Sequence, residues 1–309
     1  MKVLGIGNAI VDVICKVEDS FISKNNLTKG LMKLIFNENE FKELLKNLKI
    51  EKTISGGSVA NSIVGLSQIG NNVGFIGKIS NDNFGEKYEE GLKKEKVNFL
   101  YSKKKEALPT GTCLILVTPD SERTMCTYLG TSGKINEKDL DIDAIKKSEI
   151  TFLEGYLWDE GDPKKTFDKA ISLSKKVAMS LSDKFCVDRH KPHFLDLVQN
   201  KLDIIFANEG EIKSLIQTEK FEDVISFGKE IKKHLIITRG NKGAISIFNN
   251  EVFEIGIKEN LKIVDLTGAG DLFAAGYLHG MINNYSIIES LEKGTEMSSK
   301  IIQQIGARL

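Results

Sequence analysis

From about residue 150 the chain alternates short apolar runs with helical stretches, and few folds tolerate that pattern. Ile150–Leu153, Val177–Leu181, Ile204–Phe206 and Leu235–Thr238 read as buried strands. Between them, Pro163–Lys176, the stretch from His193 through Gln199, and Glu209–Ile216 read as helices. Parallel strands need crossover connections, so this alternation implies a mostly parallel sheet with helices on both faces. Ser246–Phe248 and Val252–Ile257, joined by Asn249-Asn250, read as a closing hairpin. Upstream, Phe41, Leu44, Leu45 and Leu48 fall at i, i+3, i+4 and i+7, which predicts an amphipathic helix.

Residues 97–130 have a different character. Thr112–Val117 reads as a strand, Thr118-Pro119-Asp120-Ser121-Glu122 as a turn cluster, and Arg123–Leu129 as the returning strand. With Val13–Val17 and Leu31–Ile35 they form the makings of a small second sheet.

Composition narrows the function classes. The 309 residues include 43 basic and 43 acidic side chains, so no electrostatic footprint for nucleic acid or an acidic membrane surface is expected. No apolar run approaches the ~20 residues that span a bilayer. The N-terminus runs straight into Val3-Leu4-Gly5-Ile6-Gly7-Asn8, without signal-peptide character, and a cytoplasmic protein is expected. Cys15, Cys113, Cys126 and Cys186 are widely spaced and read as reduced structural thiols rather than a zinc site or disulfide framework.

Two glycine turns precede helices. Asp265-Leu266-Thr267-Gly268-Ala269-Gly270-Asp271 follows the apolar Ile263-Val264 and leads into good helix formers. Free backbone N–H groups at a helix start attract anions. Asp271, in the first turn, is either a cap or a base. Ser55-Gly56-Gly57-Ser58-Val59-Ala60-Asn61 is the second turn, with Ser58 a candidate N-cap. Asn61 either faces solvent or offers an amide to a ligand.

Gly5-Ile6-Gly7-Asn8-Ala9-Ile10 is not a dinucleotide fingerprint, because Ile10 stands where the third glycine belongs and strand-like residues follow. Asp12 interrupts that apolar run. It is either exposed on an edge strand or a carboxylate whose lone pairs meet a pair of hydroxyls. Asn208-Glu209-Gly210-Glu211 follows a strand's carboxyl end, where acids serve as helix caps or hold Mg²⁺ through water. Thr238–Gly243 is a plain turn or a nucleotide loop. Ser182, Asp188 and His190 permit a hydrolase triad on paper, but no Gly-x-Ser-x-Gly elbow accompanies them.

Taken together, these stretches resemble the PfkB/ribokinase family of carbohydrate and nucleoside kinases. Gly56-Gly57 with Asn61 resembles its first signature, G-G-x-x-x-N. Asp265 to Asp271 resembles its second, D-T-x-G-A-G-D, with the Thr displaced to 267. Asn208 with Glu211 is similar to its N-x-x-E motif, and Thr238, Gly240 and Gly243 to its T-x-G-x-x-G loop. Gly7-Asn8 through Asp12, and Asn81 through Gly85, also fit.

The resemblance implies a three-layer α/β/α ribokinase-like fold with a mostly parallel central sheet and a small β lid. The lid would comprise residues 13–36 and 97–130; residues 1–12, 37–96 and 131–309 would form the large domain. It implies ATP and Mg²⁺ as cofactors, the ion held through water by Glu211. Asn208, Thr238, Gly240 and Gly243 would hold the nucleotide. Asn8, Asp12, Gly56, Gly57, Ser58 and Asn61 would hold the acceptor. Asp271 would be the base, with Gly268, Ala269, Gly270 and Arg123 stabilising the transferred phosphoryl group. The Gly306-Ala307 pair lies where the family has a monovalent-cation loop, which makes K⁺ a candidate as well.

Arg123-Thr124-Met125 and Tyr128-Leu129-Gly130 look most like the adenosine kinase branch. The expected reaction is therefore phosphorylation of a nucleoside's primary alcohol, adenosine to AMP. Ribose, fructose or a keto-deoxy sugar acid is the alternative acceptor, and a catalytically silent nucleoside-binding regulator is the alternative from another class. Leu34, Tyr156 and Phe185 are candidate pocket-wall residues. A monomer or a homodimer is expected.

Overall fold

The structure, a computed structural model, describes residues 1–120, 122–159 and 161–309; Ser121 of the expected turn cluster lies outside them. A nine-stranded sheet forms the centre. In spatial order its strands are Glu251–Ile255, Ala244–Phe248, His234–Thr238, Ile204–Asn208, Val177–Ser180, Ile150–Glu154, Val3–Ile6, Val73–Ile76 and Asn98–Phe99. The strands from Asn98–Phe99 through His234–Thr238 run parallel, and the final hairpin is antiparallel. Asn249 and Asn250 both take positive φ in that hairpin's turn, as a tight two-residue connection needs.

Alternate residues of the central strands enter two different cores. Val3, Phe75, Ile204 and Phe206 face one side, where they meet Val59 and Ile63 of the Ser58–Gln68 helix and Phe273 and Tyr277 of the Ala269–Ile282 helix. Leu4, Ile76, Ile205 and Ala207 face the other, against Phe167, Phe194, Ile212 and Leu215. Both faces are covered, which is why these strands are uninterrupted apolar runs. Phe75 and Phe152 are essentially fully buried, and each such ring stabilises the fold by roughly 2 kcal/mol.

A five-stranded sheet sits over the carboxyl end of this layer, in the order Met32–Ile35, Arg123–Tyr128, Gly111–Val117, Ile10–Lys16 and Ile50–Ser55. Ile50–Ser55 belongs to it although the sequence placed residues 37–96 with the large domain, and Asn98–Phe99 pairs in the large sheet although it lies within 97–130. Sheet membership follows each strand's own backbone partners and not its place in the chain.

Two local expectations are corrected. The helix expected from His193 begins at Lys184, after an Asp183 cap whose carboxylate accepts from the Phe185 N–H. It kinks at His190, beside Pro192, and that break hid its first half from a reading by periodicity. The cap of the Ser58–Gln68 helix is Gly57, at φ +100, rather than Ser58. A Cβ on Gly57 would lie 2.2 Å from the Asn8 carbonyl oxygen, so only glycine fits that approach.

Candidate active site

The carboxyl ends of the parallel strands open into a cleft of about 310 Å³ lined by Asn208, Glu211, Thr238, Leu266, the Gly268–Asp271 turn and Ser58. Beneath the small sheet lies a second cavity of about 630 Å³, reached by Asp12, Asn61, Arg123, Leu266 and Arg308. Leu266 lines both, and Asp271, on the first, is bonded to Asn61 of the second.

The turn that brings Asp271 there has Gly268 at φ +78 as helix cap. Asp271 makes no cap bond of its own. Its Oδ1 accepts from Ser58 Oγ at 2.6 Å and its Oδ2 from Asn61 Nδ2 at 3.0 Å. Ser58 and Asn61 lie three residues apart on one helix face, so a single turn of the first glycine motif grips the acid of the second. Ser62 Oγ adds a bond to the Asp271 carbonyl. Burial pushes the Asp271 carboxyl up to about 6, opposed by those two hydrogen bonds and by the Arg308 charge. Asp12 is pushed up to about 7 by burial, with Arg308 opposing and Asp271 adding to the rise.

Not every expected residue reaches a cavity. Asn8 is 2% exposed and turns inward, donating Nδ2 to Glu154 Oε1 at 3.1 Å. Gly56 and Gly57 form the turn itself, with Gly56 passing close to the Asp12 carboxylate. Arg123 reaches from the small sheet to Asp265, Nη1 donating to Oδ2 at 2.6 Å. Thr267, displaced from its expected place, donates Oγ1 to Asp265 Oδ1 at 2.7 Å.

At the far side of the cleft, Asn208 and Glu211 form a reciprocal cap: the Glu211 N–H donates to Asn208 Oδ1, and Asn208 N and Nδ2 donate to the Glu211 carboxylate. Glu211 is 4% exposed, and burial raises it to about 7, with Asp183 adding to the rise and no cation acting on it among the described residues. A buried carboxylate without a counter-charge fits a place where Mg²⁺ would be held through water. Thr238 lines the cleft, while Gly240 and Gly243, at φ +57 and +84, shape the turn behind it. Arg239 is anchored there by Glu209, at 3.1 Å, and by the Phe221 ring.

Of the proposed wall residues, Tyr156 lines the cleft. Leu34 sits on the outermost strand of the small sheet and Phe185 is 79% exposed at a helix start, and neither is among the residues lining these cavities. The hydrolase triad does not assemble. Asp188 is held by Ser214, Lys184 and Lys191, Ser182 Oγ donates to the Ser180 carbonyl, and the His190 ring packs edge-on against Trp158.

Sequence reasoning missed Glu154 and Arg308. Glu154 is 1% exposed, accepts from the Val59 N–H at 2.9 Å, and so fastens the start of the Ser58–Gln68 helix to the sheet. Its signal was available: an acid closing an apolar strand at the sheet's carboxyl end. Arg308 carried none, lying beyond the last helix. Among the described residues no helix is long and apolar enough to cross a membrane.

Residues 23–309 match the family described as pfkB family carbohydrate kinase. The adenosine kinase from Sinorhizobium meliloti is similar in structure, with a TM-score of 0.90 and 35% identity over 100% of this chain and 95% of that one. A probable sugar kinase from Rhizobium etli gives a TM-score of 0.90 and 34% identity over 99% and 94%. The 5-dehydro-2-deoxygluconokinase of Clostridium botulinum is 25% identical over 88% of this chain and 85% of its own.

Proposed function

Because the chain belongs to the pfkB family of carbohydrate kinases, it is an ATP-dependent kinase acting on a hydroxyl group, and we propose that the acceptor is the primary alcohol of a nucleoside, adenosine giving AMP. One observation carries the choice. The small sheet turns an apolar face to the second cavity, where Ile14, Ile115 and Met125 lie in register beside Asp12. A flat base stacks on such a face, and the ribose hydroxyls donate to Asp12. Similarity to the Rhizobium etli protein supports a second reading, a sugar acceptor such as ribose, fructose or a keto-deoxy sugar acid.

ATP, bound with Mg²⁺ in the first cleft, supplies the phosphoryl group. Asn208, Thr238 and the Gly268–Gly270 turn would hold the nucleotide, and Glu211 the ion through water. Asp271 takes the proton from the acceptor's primary alcohol, held in place by Ser58 and Asn61. The helix N-terminus behind Gly268 and the Arg123 guanidinium, once it leaves Asp265, offset the growing negative charge. The small sheet keeps water from competing with the alcohol.

The test is ADP release measured with adenosine, other nucleosides and a panel of sugars and sugar acids. Saturable turnover on adenosine is expected. Turnover on ribose, fructose or a sugar acid but not adenosine would overturn the nucleoside reading, and no turnover with any acceptor would favour a silent binding protein.

A further inference from the structure

After the Ile287–Ile301 helix the chain returns to the second cavity. Val264 N and Asp265 N donate to the Ile302 carbonyl, Gly306 N to Asp265 Oδ2, and Gln304 Nε2 to the Arg308 carbonyl. Ala307 packs on Gly268 so closely that a Cβ on that glycine would lie 2.7 Å away. These contacts deliver the Arg308 side chain to the wall between Asp12 and Asp271. Its Nε donates to Asn61 Oδ1 at 3.2 Å, on the same amide that holds Asp271. Its Nη2 is sealed from solvent and, among the described residues, has no hydrogen-bond partner.

A guanidinium in this position is costly unless its charge and its donors are answered. Burial weighs most on the guanidinium, and Asp12, Glu95 and Asp271 offset it in part. What ties the side chain to the acceptor cavity is its Nε bond to Asn61, a residue that lines that cavity together with Asp12. We infer that Arg308 is a positioning residue of the acceptor site: its Nε bond fixes the Asn61 amide and, through that amide, the Asp271 carboxylate. This rests on the base role given to Asp271.

Several groups set the charge around Asp271. Ser58, Asn61 and Arg308 favour its ionised form. Asp12 from the small sheet, and Glu154 and Tyr156 from the end of the Ile150–Glu154 strand, all feel its negative charge. Arg308 is the cation among them, so removing it leaves Asp271 harder to ionise.

The experiment compares wild type, Arg308→Gln, Arg308→Lys and Asp271→Asn, using ATP, Mg²⁺ and the acceptor with the highest kcat/KM in the panel above. With Arg308→Gln, kcat/KM for the acceptor should fall about tenfold or more, the KM for ATP should stay unchanged, and the acid limb of the pH profile should move upward. Arg308→Lys should bring the limb back while leaving the acceptor KM high, because an ammonium supplies the charge without the Nε donor that fixes Asn61. If Arg308→Gln does not fold, the Lys variant decides by the same two readings. A wild-type acid limb and acceptor KM in the folded variants overturn the inference. Loss of turnover in Asp271→Asn alongside an unaltered Arg308→Gln sinks Arg308 alone; full turnover in Asp271→Asn sinks the base assignment instead.

Discussion

Arg123 Nη1 donates to Asp265 Oδ2 at 2.6 Å, tying the small sheet to the turn that opens the Ala269–Ile282 helix. The same oxygen accepts the Gly306 N–H at 2.8 Å, while Oδ1 accepts from Thr267 N and Oγ1. One carboxylate therefore gathers the small sheet, the glycine turn and the segment that carries Arg308. Its side chain is 10% exposed and that of Arg123 22%, so the pair is better shielded than an ordinary surface bridge.

Arg123→Gln should lower kcat by about 10²-fold, the scale of losing one donor to a developing anion, and should also lower the thermal midpoint, because Asp265 loses its shielded partner. Asp265→Asn should instead loosen both the small sheet and the Gly306 segment, raising acceptor KM and the rate of ATP hydrolysis without acceptor. Steady-state kinetics with and without acceptor separate the two. Equal effects of both variants on acceptor KM alone would mean that Arg123 acts only as a tether.

Asp271→Asn keeps the shape of the side chain and removes its basicity. Turnover should fall by on the order of 10²–10⁴, while nucleotide still binds the first cleft, as read by calorimetry with ADP. Near-normal turnover would rule out a proton acceptor at this position.

The pH profile follows from two raised carboxyls. Asp271 lies near 6 and Asp12 near 7, both lifted mainly by burial. Both roles need the ionised form, so activity should decline as pH falls through this window, well above the ordinary carboxylate range. A flat kcat/KM between pH 5 and 8 would contradict it.

The parallel sheet was legible because its central strands are apolar on both faces, Asn98–Phe99 at its edge excepted, and the two glycine turns because no other residue reaches φ +100 or +78 without strain. What those turns grip was not legible. Asp271 meets Ser58 and Asn61 across 213 and 210 residues, and such a distance leaves no periodic trace. Asn8 looked like a ligand residue and is bonded to Glu154, because the pairing of Ile6 with Leu153 brings the two strand ends side by side. Arg308 was invisible for a different reason: a lone arginine after a helix has no pattern, and its partners Asp12, Asn61 and Asp271 come from three remote stretches.

Glu154 gives a stability prediction independent of turnover. Burial raises it to about 7 from an ordinary 4.5, against the pull of the Val59 N–H and of Asn8. Its folded pKa lies above its unfolded one, so the stability it contributes is fully present below about 4.5 and is lost as pH rises through about 7. His234 titrates in the same range with the opposite sign, lowered to about 4 by burial, so wild-type stability alone does not isolate Glu154. Glu154→Gln removes only the carboxyl's share. The variant should be destabilised at pH 5.5, because its amide cannot accept at both oxygen positions. The gap from wild type should then narrow by on the order of 1–3 kcal/mol by pH 8.5. Urea unfolding of both proteins at the two pH values measures that gap. A constant difference would mean that Glu154 is already ionised at pH 5.5 and that the Val59 and Asn8 bonds outweigh its burial.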